Sequence, residues 1–180
     1  LDRRLRANVA LFRYDISGLQ QTSSIGAGSF AQQNIGDATV DGIEAEIVAQ
    51  PTDGLNLFAN LGWMDGKYDR ILATSQAAVA GAKYLPLVTD LTWQLGFSYE
   101  RAITDGLKFR LGADAHAVGD NWVEVTNSIE IKSYTRYDAF VALGAADGKW
   151  ELSVQGKNLS DEANYVSGFV SSTNPGLALL

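Results

Sequence analysis

The stretch from Thr39 to Met64 constrains this chain most, because two long segments within it carry apolar residues at every second position. Between the segments, Pro51 and the pair Asp53-Gly54 favour a tight turn. Alternation of period two puts the apolar residues on one face of a sheet and the remaining residues on the other. That second face carries glutamates and asparagines, which is unusual for a soluble core and typical of the water-filled interior of a membrane barrel.

The same alternation recurs along the chain and predicts seven strands in all. In the first of them, Ala10, Phe12, Tyr14 and Ile16 share one face and are expected to belong to the apolar side. The predicted strands outside the central hairpin cover residues 5–16, 89–100, 107–116, 134–144 and 150–157.

The connections between the predicted strands alternate between long and short. Residues 17–38, 64–88 and 117–133 and the tail from Ser160 show neither period and are predicted to be long loops. Each short connection contains Asp-Gly, which suits a tight turn. Short turns at one rim and long loops at the other are typical of outer-membrane barrels, whose short turns face the periplasm. The long-loop rim is therefore expected to face the outside of the cell.

The predicted fold class is all-β, an antiparallel meander of about seven long strands. Seven strands leave two unpaired edges, which hydrocarbon does not tolerate, so the chain is expected to form part of a larger transmembrane barrel. Aromatic residues near predicted strand ends suit the two interfaces of a bilayer. They are Tyr99 and Trp150 near the short-turn rim, and Tyr14, Trp63 and Trp93 near the long-loop rim.

Composition excludes several classes of protein. The chain has 180 residues and a net charge of -7, which argues against nucleic acid as a partner because phosphate binding needs a basic surface. It contains no cysteine, so disulfides and thiolate metal sites are excluded. No stretch reaches the 18 or so apolar residues that a spanning helix needs.

Three segments resemble parts of the barrel of TonB-dependent outer-membrane receptors. Residues 40–68 combine a Gly-Ile-Glu entry, a Pro-Thr-Asp-Gly turn and an aromatic exit. In residues 83–100, a Leu-Pro pair precedes an alternating strand that ends in Tyr. Residues 148–165 carry Asn-Leu, then acidic residues and a Tyr. The segments follow the family's order and spacing, and the resemblance spans essentially the whole chain.

The resemblance implies that residues 1–180 are a partial C-terminal segment of a roughly 22-stranded barrel, with the plug domain and the last strand absent. It implies active import of a scarce nutrient such as a ferric siderophore, energised through TonB, in the outer membrane of a Gram-negative bacterium. The implied partners are outer-membrane lipid, the remaining strands and plug domain of the same receptor, and the TonB complex through the missing N-terminal part. A small-molecule substrate such as a metal chelate is also implied, and no cofactor is.

Two alternatives remain open on the residues alone. A passive outer-membrane porin segment would show the same alternation of apolar and polar faces. A soluble β-barrel ligand-binding protein would also be built from antiparallel strands, but it needs an apolar inward face. Here the face with the smaller residues is charged, which disfavours that alternative.

No catalytic constellation is predicted, and an enzyme is not expected. Glu44 and Glu46 lie two apart on one face, but a wide wet lumen would not separate their pKa values for acid–base work. They are interpreted as lumen-lining or plug-facing carboxylates. A metal site built from several histidines is excluded because the chain contains only one histidine, His116. If substrate touches this chain, the expected contacts lie near the outer, long-loop rim: Arg110, Asp114, His116, Asp120, Trp122 and Arg136.

Overall fold

The computed structural model describes residues 4–26, 29–75, 82–165, 168–170 and 178–179, and they form an antiparallel all-β structure. Among these residues, no helix is long and apolar enough to cross a bilayer. The strands are β1 (Leu5–Gly26), β2 (Ser29–Thr52), β3 (Leu55–Ile71), β4 (Leu91–Thr104), β5 (Leu107–Val118), β6 (Asn121–Trp122), β7 (Glu130–Ile131), β8 (Tyr134–Ala145), β9 (Glu151–Gly156), β10 (Phe169–Val170) and β11 (Ala178–Leu179).

Seven of the strands form one open sheet in the order β1-β2-β3-β4-β5-β8-β9, with β1 and β9 at its edges. Each strand pairs with its neighbour in the chain or, for β5 and β8, with the next long strand, so the predicted meander of seven strands is confirmed. The short strands β6 and β7 pair with each other inside the predicted loop 117–133, and β10 pairs with β11 in the tail.

The register of the ladders explains why the two faces differ. Leu57 lies opposite Phe97, and Leu95 lies opposite both Ala59 and Ala115, so apolar residues align from strand to strand. We call this side the apolar face. The residues between them align on the other side, which we call the polar face. Its members include Asn8, Glu44, Glu46, Asn56, Asn60, Gln94, Asp114, His116, Arg136 and Asp138.

The predicted face of the first strand is wrong. Ala10 lies opposite Glu44 and Phe12 opposite Gly42, which puts Ala10, Phe12 and Tyr14 on the polar side of the sheet. The apolar face of β1 is formed instead by the alternate residues, such as Val9 and Leu11. Both sets are apolar in this strand, so the alternation could not decide between them. The Phe12 ring fits because Gly42 leaves the space over its backbone empty.

The predicted loop at residues 17–38 is also wrong, because β1 and β2 continue as a paired hairpin to Gly26 and Ser29. The ladder passes three register shifts, and two of them lie beside Gly18 (φ 67°) and Gly36 (φ 153°). At Gly36 a side chain would meet the backbone carbonyl of Arg70, so only glycine lets β3 approach there. Strand β3 likewise continues to Ile71, beyond the predicted end at Met64.

Packing by the long connections holds this extension in place. Ile35 is fully buried against Val125 from the segment between β6 and β7. Leu85, in the connection between β3 and β4, is buried against Ala38 and Val40 of β2. The connections at the long-loop rim therefore supply a small core that the polar sequence of the hairpin lacks.

The opposite rim is formed by three short turns, at Asp53-Gly54, Asp105-Gly106 and residues 146–149, as predicted. Gly54 has a φ of 81°, and its backbone comes close to the carbonyl oxygen of Glu100, so a side chain would not fit there. All three Asp-Gly pairs thus lie at the same rim of the sheet, and the long connections lie at the opposite rim.

Candidate functional site

The centre of the polar face carries a row of polar side chains that crosses three strands. Gln94 on β4 lies opposite His116 on β5, which lies opposite Arg136 on β8. In the next row toward the short-turn rim, Asp114 lies opposite Asp138. The row forms because the period-two pattern of each strand is in phase with its neighbours.

These rows line a cleft of about 410 Å³ on the polar face. The cleft brings together three of the six expected contacts, Asp114, His116 and Arg136. Sequence reasoning missed the other residues that line it, although three of them, Gln94, Asp138 and Lys157, occupy polar positions of predicted strands. The remaining lining residues are Gln94, Asp138, Lys157 and Asn158.

Hydrogen bonds fix the two carboxylates of the cleft. Gln94 Nε2 donates to Asp114 Oδ2 at 3.2 Å, and the backbone N–H of Asn158 donates to Asp138 Oδ1 at 2.7 Å. The Arg136 guanidinium lies 5.4 Å from the centre of the Tyr134 ring, a cation–π distance. Neither Arg136 nor Lys157 forms an ion pair within the part of the chain that the structure describes. Both cations are therefore free to meet an anionic or hydrogen-bond-accepting group in the cleft.

A second cleft of about 520 Å³ adjoins the first, and Gln94 and His116 line both. Glu44 and Glu46 lie in its wall. Arg6 Nη2 donates to Glu46 Oε1 at 2.7 Å and Asn8 Nδ2 to Glu46 Oε2 at 3.0 Å. Because the two clefts share Gln94 and His116, hydrogen-bonding groups continue across the polar face from one cleft to the other.

Arg110 does not share the long-loop rim with the other expected contacts. It lies close to the Asp105-Gly106 turn, six residues before His116 on β5, which is about 20 Å along a strand. Its Nη1 lies 3.6 Å from Glu151 Oε2, and its guanidinium lies 5.6 Å from the centre of the Phe140 ring. Counting residues from the Asp-Gly turn would have revealed this, and the expected outer-rim position of Arg110 is wrong.

Asp120 and Trp122 lie at the long-loop rim, but not in the cleft with His116. Asp120 Oδ1 accepts a hydrogen bond from the Ser133 N–H at 2.6 Å. The Trp122 ring stacks on Tyr84, with ring centres 5.9 Å apart and planes 6° from parallel. Nearby, the hydrogen bond from Lys132 to Glu130 raises the pKa of that lysine. The six expected contacts thus fall into three separate places.

Metal-binding capacity can be judged from the described residues alone. Among them, no three histidine, aspartate or glutamate side chains are grouped closely enough to hold a metal ion. The cleft around His116 instead combines amides, carboxylates and cations. Such a surface can bind a polar ligand through hydrogen bonds and charge.

Comparison with known proteins identifies the family. The sequence model of the family described as TonB dependent receptor-like, beta-barrel, matches residues 1–159. A relative, the probable TonB-dependent siderophore receptor PiuA of Acinetobacter baumannii, is 24% identical over 177 residues, which cover 95% of this chain and 23% of the relative. This chain therefore spans about a quarter of the length of the relative it matches.

Solved structures of similar fold come from the same kind of protein. The ferric yersiniabactin uptake receptor FyuA of Yersinia pestis superposes with a TM-score of 0.77 at 16% identity, over 96% of this chain and 25% of that one. The siderophore receptor PiuA of Acinetobacter baumannii gives a TM-score of 0.66 at 24% identity, over 92% of this chain and 23% of that one. Proteins of this family are outer-membrane transporters of Gram-negative bacteria rather than enzymes. Since the family model covers most of the sequence, the chain belongs to the TonB-dependent receptors, within the β-barrel part of these proteins.

Proposed function

We propose that this chain is a barrel segment of an outer-membrane receptor that imports a scarce nutrient such as a ferric siderophore and is energised through TonB. The observation that carries the proposal is the division of one sheet into an exposed apolar face and a polar face with two adjoining clefts. Lipid contacts the apolar face, and the polar face lines a lumen that is closed by the remaining strands of a roughly 22-stranded barrel.

The proposed partners follow from the same two faces. A plug domain of the same receptor meets the polar face, and Glu44 and Glu46 offer it carboxylates. The TonB complex acts through the N-terminal part of the receptor. The alternative of a soluble β-barrel that binds a ligand inside needs an apolar inward face, whereas the face with the two adjoining clefts carries His116, Asp114 and Arg136.

Substrate is proposed to contact this segment at Asp114, His116 and Arg136, the three expected residues that share a cleft. Arg136 and Lys157 offer positive charge to an anionic group of a metal chelate, and Gln94 and Asn158 offer amides. Arg110 is left out because it lies near the short-turn rim. Asp120 and Trp122 are left out because they lie outside the cleft.

Uptake of radiolabelled iron tests the proposal. The full-length receptor is expressed in cells that lack their own ferric-chelate receptors, and ferric catecholate, ferric hydroxamate and ferric citrate are offered in turn. Uptake of at least one chelate is expected, and it should disappear in a strain without TonB. Uptake that persists without TonB would support the passive porin instead.

Within the same assay, Arg136→Gln should raise the chelate concentration needed for half-maximal uptake. The matched control is Arg101→Gln, since Arg101 is exposed near the short-turn rim, away from the cleft. Equal uptake by both variants would contradict the proposed contact at Arg136.

The orientation of the segment has its own test. A peptide tag inserted after Ile25, at the tip of the hairpin of β1 and β2, should bind antibody on intact cells. A tag inserted after Asp147, in a short turn, should bind only after the outer membrane is opened. The opposite result would invert the proposed topology.

A further inference from the structure

Two aromatic rings from different connections meet at the long-loop rim. Tyr84 belongs to the segment between β3 and β4, and Trp122 belongs to β6. Their rings stack almost in parallel, 6° apart, with centres separated by 5.9 Å. Tyr84 remains 52% exposed, so one side of the stack is open to the surroundings.

The stack lies on the side of the apolar face. Tyr84 forms an isolated antiparallel bridge with Lys67 of β3, and residues directly opposite in such a pair project to the same side. Lys67 follows Trp63 and Asp65 at alternate positions, and Trp63 belongs to the apolar face. The next residue, Leu85, points the other way and is buried on the polar side. Trp122 is therefore separated from the cleft around His116 by the sheet itself.

The position of the stack along the membrane normal can be estimated from its partner residue on β3. Lys67 lies four residues beyond Trp63, which is about 13 Å along a strand and roughly 9 Å toward the rim at a tilt near 45°. Between these levels the same side carries ion pairs: Arg13 with Asp41 at 2.8 Å, and Lys67 with Asp65 at 2.5 Å. Charged groups mixed with tyrosine and tryptophan are typical of the headgroup layer of a membrane rather than of its hydrocarbon.

A single side chain ties the two connections together. Asn127 Oδ1 accepts hydrogen bonds from the backbone N–H groups of Lys83 and Tyr84, at 2.7 and 2.9 Å. Its Nδ2 donates to the Tyr84 carbonyl at 3.1 Å and to the Glu124 carbonyl at 3.3 Å. Asn127 has a φ of 53°, a conformation that asparagine tolerates better than most residues. The Leu87 N–H adds a bond to the Trp122 carbonyl at 2.7 Å.

We propose that Tyr84 and Trp122 rest in the lipid headgroup layer of the outer leaflet, with Asn127 as the residue that positions them. The connection between β3 and β4 and the connection between β5 and β8 thus both contact the bilayer surface. Trp122 contacts lipid rather than substrate. This inference rests on the proposed function, because it requires the apolar face to be embedded in the outer membrane. It extends the lipid contact of the apolar band to residues of the loops.

Photo-crosslinking in living cells tests the inference in the full-length receptor. p-Benzoylphenylalanine is introduced at position 122, and after irradiation the purified receptor is examined for lipid adducts by mass spectrometry. The same probe at position 93, in the apolar face, and at position 94, in the polar face, provides matched controls. Lipid adducts are expected at positions 93 and 122 and not at position 94.

The outcomes separate the inference from the proposal beneath it. Adducts at position 93 without adducts at position 122 would overturn the inference and leave the membrane setting intact. A lack of adducts at position 93 would refute the membrane setting, and the inference would fall with it. Adducts at both positions, and none at position 94, support it.

A second variant tests the role of Asn127. Asn127→Gly keeps the left-handed backbone and removes the side chain that joins the connections. The ratio of adducts at position 122 to adducts at position 93 should fall by about tenfold, because three hydrogen bonds between the connections are lost. Asp161→Gly is the matched control, since Asp161 has a similar φ of 52° and lies on another connection. An unchanged ratio in Asn127→Gly would overturn the positioning role.

Discussion

The same antiparallel ladder passes through two regions with different surroundings. Between Leu91 and Tyr99 on β4, and on the strands beside them, one face is apolar and the other polar. Beyond Gly36, toward the long-loop rim, β1 and β2 continue as a hairpin rich in glutamine and serine, with polar residues on both faces. An alternating sequence pattern therefore indicates that the two faces of a strand differ in polarity. A strand that is polar on both faces lacks the pattern.

The two regions are also held together differently. In the first, aligned apolar residues cover one face, and the backbone ladder crosses seven strands. In the second, a few buried contacts with the connections stabilise the hairpin, above all Ile35 against Val125, and Leu85 packs at its base against Ala38 and Val40. Each region should therefore respond to a different class of substitution.

The largest effect is expected for Leu95→Arg. Leu95 lies midway between Leu91 and Tyr99 on the apolar face, so in the proposed membrane setting the variant would put a charge near the middle of the bilayer. The expected cost is about 2–4 kcal/mol of the free energy of unfolding. It can be measured by denaturant titration of the receptor refolded in lipid. Gln94→Arg, on the polar face, is the control, and equal costs for the two variants would remove the distinction between the faces.

The next effect belongs to the other region. Ile35→Ala should destabilise the extended hairpin by about 2 kcal/mol or more, because Ile35 is fully buried. Hydrogen exchange at the Leu72 amide, which donates to the Ile35 carbonyl at 2.8 Å, reports the local opening. Ile25→Ala is the control, since Ile25 is 56% exposed on the same hairpin. If exchange in β4 rose as much as at Leu72, the two regions would be one cooperative unit.

The sequence predicted the first region well and the second poorly, for physical reasons. Rows such as Leu57 and Phe97 could be predicted from the alternation, because the two faces of this region carry different kinds of residue. In β1, Val9 and Phe12 are both apolar, so only the register with β2 decides which one faces outward. The hairpin beyond Gly36 has no contrast between its faces, and its buried contacts come from residues distant in the sequence.

The same limits apply to the candidate site. Asp114, His116 and Arg136 could be grouped from the sequence because they occupy polar positions of predicted strands. Their alignment in one cleft depends on a register that alternation alone does not give. The side of the sheet on which Trp122 lies depends on the bridge between Tyr84 and Lys67, for which the sequence carries no signal.

A smaller effect is expected at the glycine that lets the second region form. Gly36→Ala should cost more than about 1 kcal/mol, because its positive φ strains alanine and its Cβ would collide with the Arg70 carbonyl. Gly148→Ala isolates the strain, since its φ is 74° and the space around it is open. Hydrogen exchange of the amides around each substituted glycine, in the hairpin for Gly36→Ala and in the turn at residues 146–149 for Gly148→Ala, separates the two causes. If Gly36→Ala lost no more protection from exchange than Gly148→Ala, the close approach of β3 to Gly36 would not be required.

The smallest effect is expected from a carboxylate that fastens the second region. Asp37 Oδ1 accepts the Gly18 N–H at 3.0 Å, and Oδ2 accepts Arg70 Nε at 2.9 Å. The Gly18 bond, followed by the bond from Arg70, holds the pKa of Asp37 below its ordinary value of 3.8. Because the folded form has the lower pKa, the stabilisation is present above the ordinary value and is lost as the pH falls through the lowered one.

Acidification should therefore loosen the hairpin around Gly18 before it affects the apolar region. The rate of hydrogen exchange at the Gly18 amide, corrected for the intrinsic effect of pH, should rise as the pH drops below 3.8, whereas amides of β4 should keep their protection. Asp37→Asn retains an oxygen that can accept the Gly18 bond but does not titrate in this range, so its exchange should lack the pH-dependent step. The same step in wild type and variant would mean that another group controls the opening of the hairpin.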